Sequence, residues 1–384
     1  MPNCFSALSF RRRLCPLVIG SLFGLTGLSG SVNATPLLIQ ASEQQQFEQA
    51  YQAFQQAKAD ESTPKLRLQQ LAFTAYMSGR DHFGAEHINT ANLALNHLFL
   101  LEPKQRISQQ SHALAALVVR VYQGEYGPQA IELLDPLLLA LETMPAPNEK
   151  QISNYEMQFA QVFSAHRTKN PQFVVAIKIA MAEQLMRLNQ RRPELWTSLY
   201  NESEELYGAD HATTVKTAFY AAMENAGAED FAAAVNKLEY VVAVDARDNA
   251  ATLQLQLAAY YRLINFYQRL NQTAKVDVAL RRVGEMNHQL SGQMVEEALY
   301  RVSPEFPAEE ATAGRSGTVQ LIYDIGTDGR TKNIRVDSAT NDAFAAAARE
   351  SVSAWLYVPA YDDNGEVTER KNVEVQLDFN LQGN

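Results

Sequence analysis

The C-terminal end of the chain alternates between apolar and polar side chains. The apolar positions are Val373, Val375, Leu377, Phe379 and Leu381. Between them stand Glu374, Gln376, Asp378 and Asn380. Because successive side chains of a β-strand point to opposite faces, this pattern predicts a strand with one buried face and one wet face. The end of the chain must therefore build a sheet.

Two earlier runs supply the other strands. In the first run, apolar side chains again occupy every second position: Val319, Leu321, Tyr323 and Ile325. Asp328-Gly329 follows as a turn, since glycine gives the backbone freedom that a hairpin connection needs. A second run around Ile334 and Val336 comes next. The pattern predicts a three-stranded antiparallel sheet that leaves open edges.

A helix is predicted between the second and third of these strands. Asn341-Asp342 can cap its start, because a short polar side chain accepts hydrogen bonds from the first turn. Its apolar residues form one stripe at helical spacing: Phe344, Ala348, Val352 and Trp355. Pro359 is predicted to end this helix, and Asn364-Gly365 to form a turn before the last strand.

Residues 299–384 as a whole resemble the C-terminal domain of the TonB energy-transducer family. The residues that carry the resemblance appear in the family's order: Phe306, Pro307, Gly314, Gly317, Gly329, Trp355, Tyr357 and Pro359. The resemblance implies a small α+β module that docks on outer-membrane TonB-dependent receptors, or on another envelope protein, from the periplasm. Glu310 stands where the family favours alanine.

The resemblance also implies a docking strand. An edge strand offers backbone N–H and C=O groups, and an extended segment of a partner can pair with them. By resemblance the partner-binding positions are Asn372, Val373, Glu374, Val375, Gln376, Leu377, Asp378, Phe379 and Asn380.

Residues 35–298 are predicted to form a tetratricopeptide-like helical repeat domain. Apolar residues recur three and four positions apart, as in Leu253, Leu257, Tyr260, Tyr261, Ile264 and Tyr267. Pro145 and Pro147 predict a break between helical blocks. The predicted fold class is a mostly α solenoid followed by the small α+β domain.

A sequence motif that occurs twice supports the repeat. Phe83-Gly84-Ala85-Glu86-His87-x-x-Thr90 returns 124 positions later as Tyr207-Gly208-Ala209-Asp210-His211-x-x-Thr214. The phrase resembles the loops of the long repeats in kinesin-light-chain-like proteins. A metal site needs three or four converging ligands. We therefore expect His87 and His211 to support their own loops by hydrogen bonds to the backbone.

Residues 1–34 are typical of a signal peptide. Arg11-Arg12-Arg13 precedes the apolar run Leu14–Gly30, and Val32-Asn33-Ala34 is a cleavage site before Thr35. The segment predicts export to the periplasm; if it remains uncleaved, it would contact the inner membrane. Both cysteines of the chain lie inside it.

The sequence contains no recognisable catalytic motif. G-x-S-x-G, H-E-x-x-H and phosphate-binding glycine loops are absent, so we expect no enzymatic activity, no cofactor and no small-molecule substrate. The formal charge of −10 argues against nucleic-acid binding. Two functions stay open. One is a TonB-family protein that docks on receptors in energy-dependent transport. The other is a periplasmic scaffold whose TonB-like module is a structural cap or peptide-binding unit without energy coupling.

Overall fold

The computed structural model describes residues 34–245, 249–291, 296–362 and 364–381. The predicted signal peptide lies outside these ranges except for Ala34. Helices make up most of the described residues between 34 and 291, which confirms the mostly helical prediction. They are α1 Ala34–Ala59, α2 Lys65–Phe83, α3 Ile88–Leu100, α4 Pro103–Arg106, α5 Gln109–Tyr126, α6 Leu134–Thr143, α7 Glu149–His166, α8 Pro171–Arg187, α9 Pro193–Tyr207, α10 Ala212–Gly227, α11 Phe231–Ala243, α12 Ala250–Arg269 and α13 Thr273–Ser291.

The described residues form two compact units, one ending at Arg192 and the other starting at Pro193. The first unit holds α1–α8, and the second holds α9–α13 together with the C-terminal sheet. The interval between α6 and α7 contains Pro145 and Pro147, as predicted. The predicted domain boundary between residues 298 and 299 remains a prediction.

The two loops that carry the repeated sequence motif, after α2 and after α9, have the same geometry. Gly84 and Gly208 follow the ends of α2 and α9 with φ of 91° and 87°. The Nδ1 atoms of His87 and His211 each accept a hydrogen bond from the backbone N–H two residues on, at 3.1 Å. Both histidines therefore bond the backbone of their own loops, as predicted, and the structure shows that this bond caps the helix that follows, α3 or α10.

The same two loops are closed by a threonine and a ring stack. Thr90 and Thr214 donate their hydroxyl hydrogens to the carbonyl oxygens of Gly84 and Gly208, at 2.7 and 2.8 Å. Each histidine ring stacks on the aromatic ring that ends the preceding helix, with centroids 5.0 and 4.6 Å apart. The internal repeat is thus a repeat of structure.

A third copy of this loop lies after α5 and has lost the polar positions. Gly127 has a φ of 87°, and the N–H of Ala130 donates to its carbonyl oxygen at 3.3 Å, as His87 does to Gly84. Ala130 occupies the histidine position, and Leu133 occupies the threonine position. Without a capping side chain, the next segment begins as a 3₁₀ turn, Ile131–Leu133, rather than as a helix.

The described residues of the C-terminal part, 296–362 and 364–381, contain seven strands and two helices. They are β1 Ala298–Tyr300, α14 Ala308–Thr312, β2 Gly317–Ile325, β3 Thr331–Ala339, α15 Asp342–Ser353, β4 Leu356–Tyr357, β5 Ala360–Tyr361, β6 Val367–Thr368 and β7 Arg370–Phe379. The main sheet is antiparallel with the order β3-β2-β7, which confirms the predicted three strands. Two short pairs, β1-β4 and β5-β6, lie outside it.

Three details of the prediction were wrong. Helix α15 ends at Ser353, so Trp355 lies beyond the helix and Pro359 does not end it. The residues after Ala354 instead form β4, which pairs with β1. Strand β7 ends at Phe379, and Leu381 is 41% exposed rather than packed on the sheet.

One residue of β4 and the residue directly after that strand belong to the helical core of the second unit. Leu356 and Val358 are buried in one cluster with residues of α10–α13, such as Leu280 and Val283. A side chain at Gly284 of α13 would meet Tyr361 at 2.9 Å, so the glycine allows close packing. The Arg330 guanidinium also bonds the Asp277 carboxylate at 2.6 Å. Leu356 and Val358 of the C-terminal part therefore pack into the core of the last helices, while the main sheet and α15 form a core cluster of their own.

Candidate partner-docking edge

Strand β7 lies at the end of the main sheet. It pairs with β2 in regular register from Gly317↔Phe379 to Tyr323↔Val373. Within the described residues, no strand pairs with its other side. The predicted docking positions therefore lie on an open edge, except that Asn380 lies past the end of the strand.

The hydrogen-bonding directions along β7 follow from Thr318. Its N–H donates to the Thr340 hydroxyl at 2.9 Å and its carbonyl accepts from the Thr340 N–H at 3.0 Å, so both groups face β3. Because backbone groups alternate sides along a strand, Val319, Leu321 and Tyr323 direct theirs to β7. Their β7 partners Leu377, Val375 and Val373 face β2 in return. The backbone groups of Glu374, Gln376 and Asp378 consequently point to the open side.

The apolar face of β7 is incompletely covered. Val319, Leu321 and Tyr323 of the central strand are at most 1% exposed. Their neighbours on β7, Leu377, Val375 and Val373, pack against the same core but are only partly buried. An additional strand beside β7 would cover the exposed remainder of these side chains with its own apolar residues.

Strand β3 forms the other edge and is irregular. Its pairing with β2 shifts register twice, between Gln320 and Leu321 and between Ile322 and Asp324. Asn333 within it has a φ of 53°. Bulges twist a strand and interrupt its row of free backbone groups, which makes an edge a poorer template for pairing. The regular edge is that of β7.

Asn372 marks the start of the regular edge. It has a φ of 56°, and its N–H donates to the Asp324 carboxylate at 3.0 Å. The register with β2 shifts at this point. Hydrogen bonds from Asn333 and from the Asn372 N–H hold the pKa of Asp324 below its usual value. Asn372 therefore lies in a fixed bulge, and the ladder available for docking runs from Val373 to Phe379.

Phe306, at the start of the matched motif, contributes to an aromatic cluster at the end of β7. The ring of Phe306 meets the rings of Phe344 and Phe379 edge-on, with centroids 5.5 and 5.9 Å apart. A side chain at Gly317 would come within 2.3 Å of the Phe344 ring, so this position requires glycine. Pro307 precedes α14 as its N-cap residue.

Gly314 and Glu310 shape the loop between α14 and β2. Gly314 has a φ of 66°, and no atom lies close enough to clash with a side chain there. Glycine is therefore favoured at this position by the backbone conformation and not by close packing. Glu310 is 5% exposed, and its carboxylate bonds the Arg315 guanidinium at 2.7 Å. This hydrogen bond lowers the pKa of Glu310. The buried carboxylate of Glu310, which stands where the family favours alanine, is thus paired with a cation of the same loop.

Trp355 and Tyr357, the aromatic residues of the family motif, connect the main sheet and α15 to neighbouring segments of the module. The Trp355 indole N–H and the Ser351 hydroxyl both donate to the carbonyl oxygen of Val302, at 3.0 and 2.6 Å. The hydroxyls of Tyr357 and Tyr323 are hydrogen-bonded at 2.5 Å, and burial raises the pKa of Tyr323. All of these side chains have structural contacts within the module.

Two more motif positions fix the turn region. Gly329 has a φ of 78°, and a side chain there would collide with the carbonyl oxygen of Tyr357. Pro359 lies against Gly284 of α13. These residues therefore position the sheet and do not form part of its open edge.

Arg370 is a residue that sequence reasoning missed. Its guanidinium lies over the Tyr357 ring, 5.0 Å from the centroid. It also donates to the carbonyl oxygens of Val358 and Glu296, at 3.4 and 3.3 Å. It thereby ties the first residue of β7 to the segment that enters the helical core. The sequence signal was weak, since an arginine just before an alternating run is typical of a solvated strand end.

Other kinds of site find little support in the described part of the chain. Across residues 34–245, 249–291, 296–362 and 364–381, no group of three or more His, Cys, Asp or Glu side chains could hold a metal ion. Within the same ranges, no helix is both long enough and apolar enough to span a membrane.

A small antiparallel sheet with one covering helix and one regular open edge defines a module that can accept an extended peptide as an added strand. Residues 302–381 match the family described as Gram-negative bacterial TonB protein C-terminal. This segment is therefore a TonB C-terminal domain that follows a helical region, and the match does not extend into that region.

The remaining comparisons add little. No curated protein matches the chain. A solved structure of BtubC (BKLC) from P. vanneervenii is similar over 69% of this chain and 97% of its own, with a TM-score of 0.35 and 11% identity. A likeness at this level supports no inference about function.

Proposed function

We propose that this chain is a non-enzymatic TonB-family protein of the Gram-negative envelope that binds an extended partner segment along β7. The observation that carries the proposal is the regular open edge, where the backbone groups of Glu374, Gln376 and Asp378 point away from β2. Each such group can pair with a backbone group of the incoming segment. By its family, the partner is an outer-membrane TonB-dependent receptor or another envelope protein, and the process is energy-dependent transport.

The proposal places the protein in the periplasm. Support comes from residues 1–34, whose basic start, apolar run and small-residue cleavage site favour export. Mass spectrometry of the protein from an envelope fraction tests this point. A mature N-terminus at Thr35 is expected. An intact N-terminus would instead indicate that the segment is retained as an anchor.

Docking on β7 is tested by removing one outward N–H. Gln376→Pro deletes that donor at an edge position, where proline is tolerated because the β2 ladder does not use it. Gln376→Ala removes the same side chain and keeps the donor. We expect the proline variant to fold and to lose binding to receptor-containing envelope extracts, and the alanine variant to bind normally.

Val375→Pro is the matched control for strand integrity. Its N–H faces β2, so proline there breaks a ladder hydrogen bond and lowers the melting temperature of the domain. If Gln376→Pro proves as destabilising as Val375→Pro, the assignment of outward and inward positions is wrong. If it folds and still binds, partners do not use this edge.

One observation favours a second candidate, the scaffold in which the module caps the helices. Leu356 and Val358 complete the core of α10–α13, and helical arrays need their terminal apolar faces covered. Deleting residues 299–384 would therefore damage the helices under either function. Gln376→Pro separates them in cells: uptake of a receptor-dependent substrate falls if the protein transduces energy, and is unchanged if it is a scaffold.

A further inference from the structure

The solvent face of β7 is acidic along its regular edge. Glu374 and Asp378 are exposed, are separated by Gln376, and share one face of the strand. Asp378 accepts hydrogen bonds from Thr318 and Gln376, at 3.2 and 2.9 Å, and both of these donors are neutral. The two carboxylates lie four residues apart, which is about 13 Å along a strand.

The cations near Glu374 on this part of the sheet have other acidic or polar neighbours, and Lys371 and Arg335 both act on Asp324. Arg335 donates to the Asn372 side chain at 2.8 Å, and Lys332 is paired with Glu369. Arg335 lies in one row with Ile322 and Glu374, two strands away from Glu374, and its guanidinium is held at the bulge by Asn372. An added strand would therefore meet two carboxylates along the stretch where its backbone pairs with β7.

We infer, resting on the proposed docking function, that the segment that docks on β7 is a basic amphipathic strand. It carries Lys or Arg at two positions four apart, opposite Glu374 and Asp378. Its alternate positions are aliphatic and cover the half-buried Val373, Val375 and Leu377. Side chains directly opposite each other in an antiparallel pair lie close enough for charge to decide between partners.

The same charges disfavour a second copy of this chain as the occupant. Two β7 strands paired antiparallel about Gln376 would place Glu374 opposite Asp378 of a second copy, and the reverse. Pairing about Glu374 would place that carboxylate opposite itself. Like charges directly opposite each other are destabilising, so the edge selects a different, cationic strand.

Two synthetic peptides test the inference on the mature full-length chain. Both are capped and alternate valine with serine, and they differ only in two positions four apart, which are Lys in one and Glu in the other. Fluorescence anisotropy at low salt should show the Lys peptide binding about tenfold more tightly. The difference should shrink at about 0.5 M NaCl, because salt screens exposed charges.

Charge-neutral variants locate the effect. The double variant Glu374→Gln, Asp378→Asn should bind both peptides with similar affinity. Asp337→Asn removes an exposed carboxylate from β3 and should leave the preference intact. If the Glu peptide binds the unmodified chain as well as the Lys peptide, and Gln376→Pro abolishes both, edge docking stands and the charge inference is refuted. If neither peptide binds the unmodified chain, the docking proposal fails, and this inference fails with it.

Discussion

Truncating Leu356 to alanine tests whether the C-terminal domain and the last helices unfold as one unit. Leu356 is 1% exposed and lies in a core cluster that includes residues of α10–α13. A buried Leu→Ala change costs about 2–5 kcal/mol, because the lost contacts leave a cavity. With a loss of about 3 kcal/mol and a urea m-value of about 3 kcal/mol/M, the midpoint should fall by about 1 M.

The two tryptophans of the chain provide separate reporters. Trp196 is buried in α9, and Trp355 is buried between α15 and β4. Urea unfolding followed by fluorescence in the Trp196→Phe and Trp355→Phe backgrounds reads each side of the predicted 298/299 boundary. Leu356→Ala should lower both midpoints by the same amount, and Leu381→Ala, at 41% exposure, should lower neither. A shift seen by Trp355 alone would refute the coupling of the C-terminal part to the last helices through Leu356.

Three further predictions follow from local contacts. Gly317→Ala should destabilise the domain by about 1–3 kcal/mol through collision with Phe344, as measured by thermal denaturation; an unchanged melting temperature would contradict the close packing. His211→Ala should cost about 1 kcal/mol of helix-capping energy, and Ala130→His should add a similar amount of stability in the third loop; a loss of stability on Ala130→His in calorimetry would show that the loops are not equivalent. Burial lowers the pKa of His97 to about 4, below its value in the unfolded chain. The stability contributed by neutral His97 is therefore complete above about pH 6.5 and should be lost as the pH falls towards 4. His97→Phe should flatten the pH dependence of the melting temperature, and an unaltered pH profile in this variant would contradict the assignment to His97.

The sequence predicted elements that have a strong period or a local mechanism. The alternation in β2 and β7, the Asn341 cap and the glycine turns all depend on residues close in sequence, and the structure contains them. The backbone hydrogen bonds of His87 and His211 were also predicted, because the repeated phrase favoured a role in the loop. The sequence also indicated a repeat turn at Gly124-Glu125-Tyr126 followed by Ala130, but its likeness to the two histidine loops was not visible, because Ala130 and Leu133 stand at the polar positions.

Features that depend on distant contacts could not be predicted. Trp355 continues the helical stripe in spacing, but its indole bonds to Val302, far earlier in the chain. The strands β1 and β4 contain three and two residues, too few to show a period. The burial of Leu356 and Val358 among helices likewise leaves no mark in the local pattern. At the candidate site, the family resemblance pointed to the last strand as the candidate for docking, while the contrast between its regular edge and the bulged edge of β3 required the backbone geometry.

Residue-resolved hydrogen exchange along β7 tests the docking edge most directly. In the free protein, the amides of Val375 and Leu377 should exchange slowly because they bond to β2, while those of Glu374, Gln376 and Asp378 should exchange fast. Adding the binding partner or the Lys peptide should slow the second set and leave the first set unchanged. Slow exchange at Glu374, Gln376 and Asp378 before any addition would show that the edge is already paired and would contradict the account.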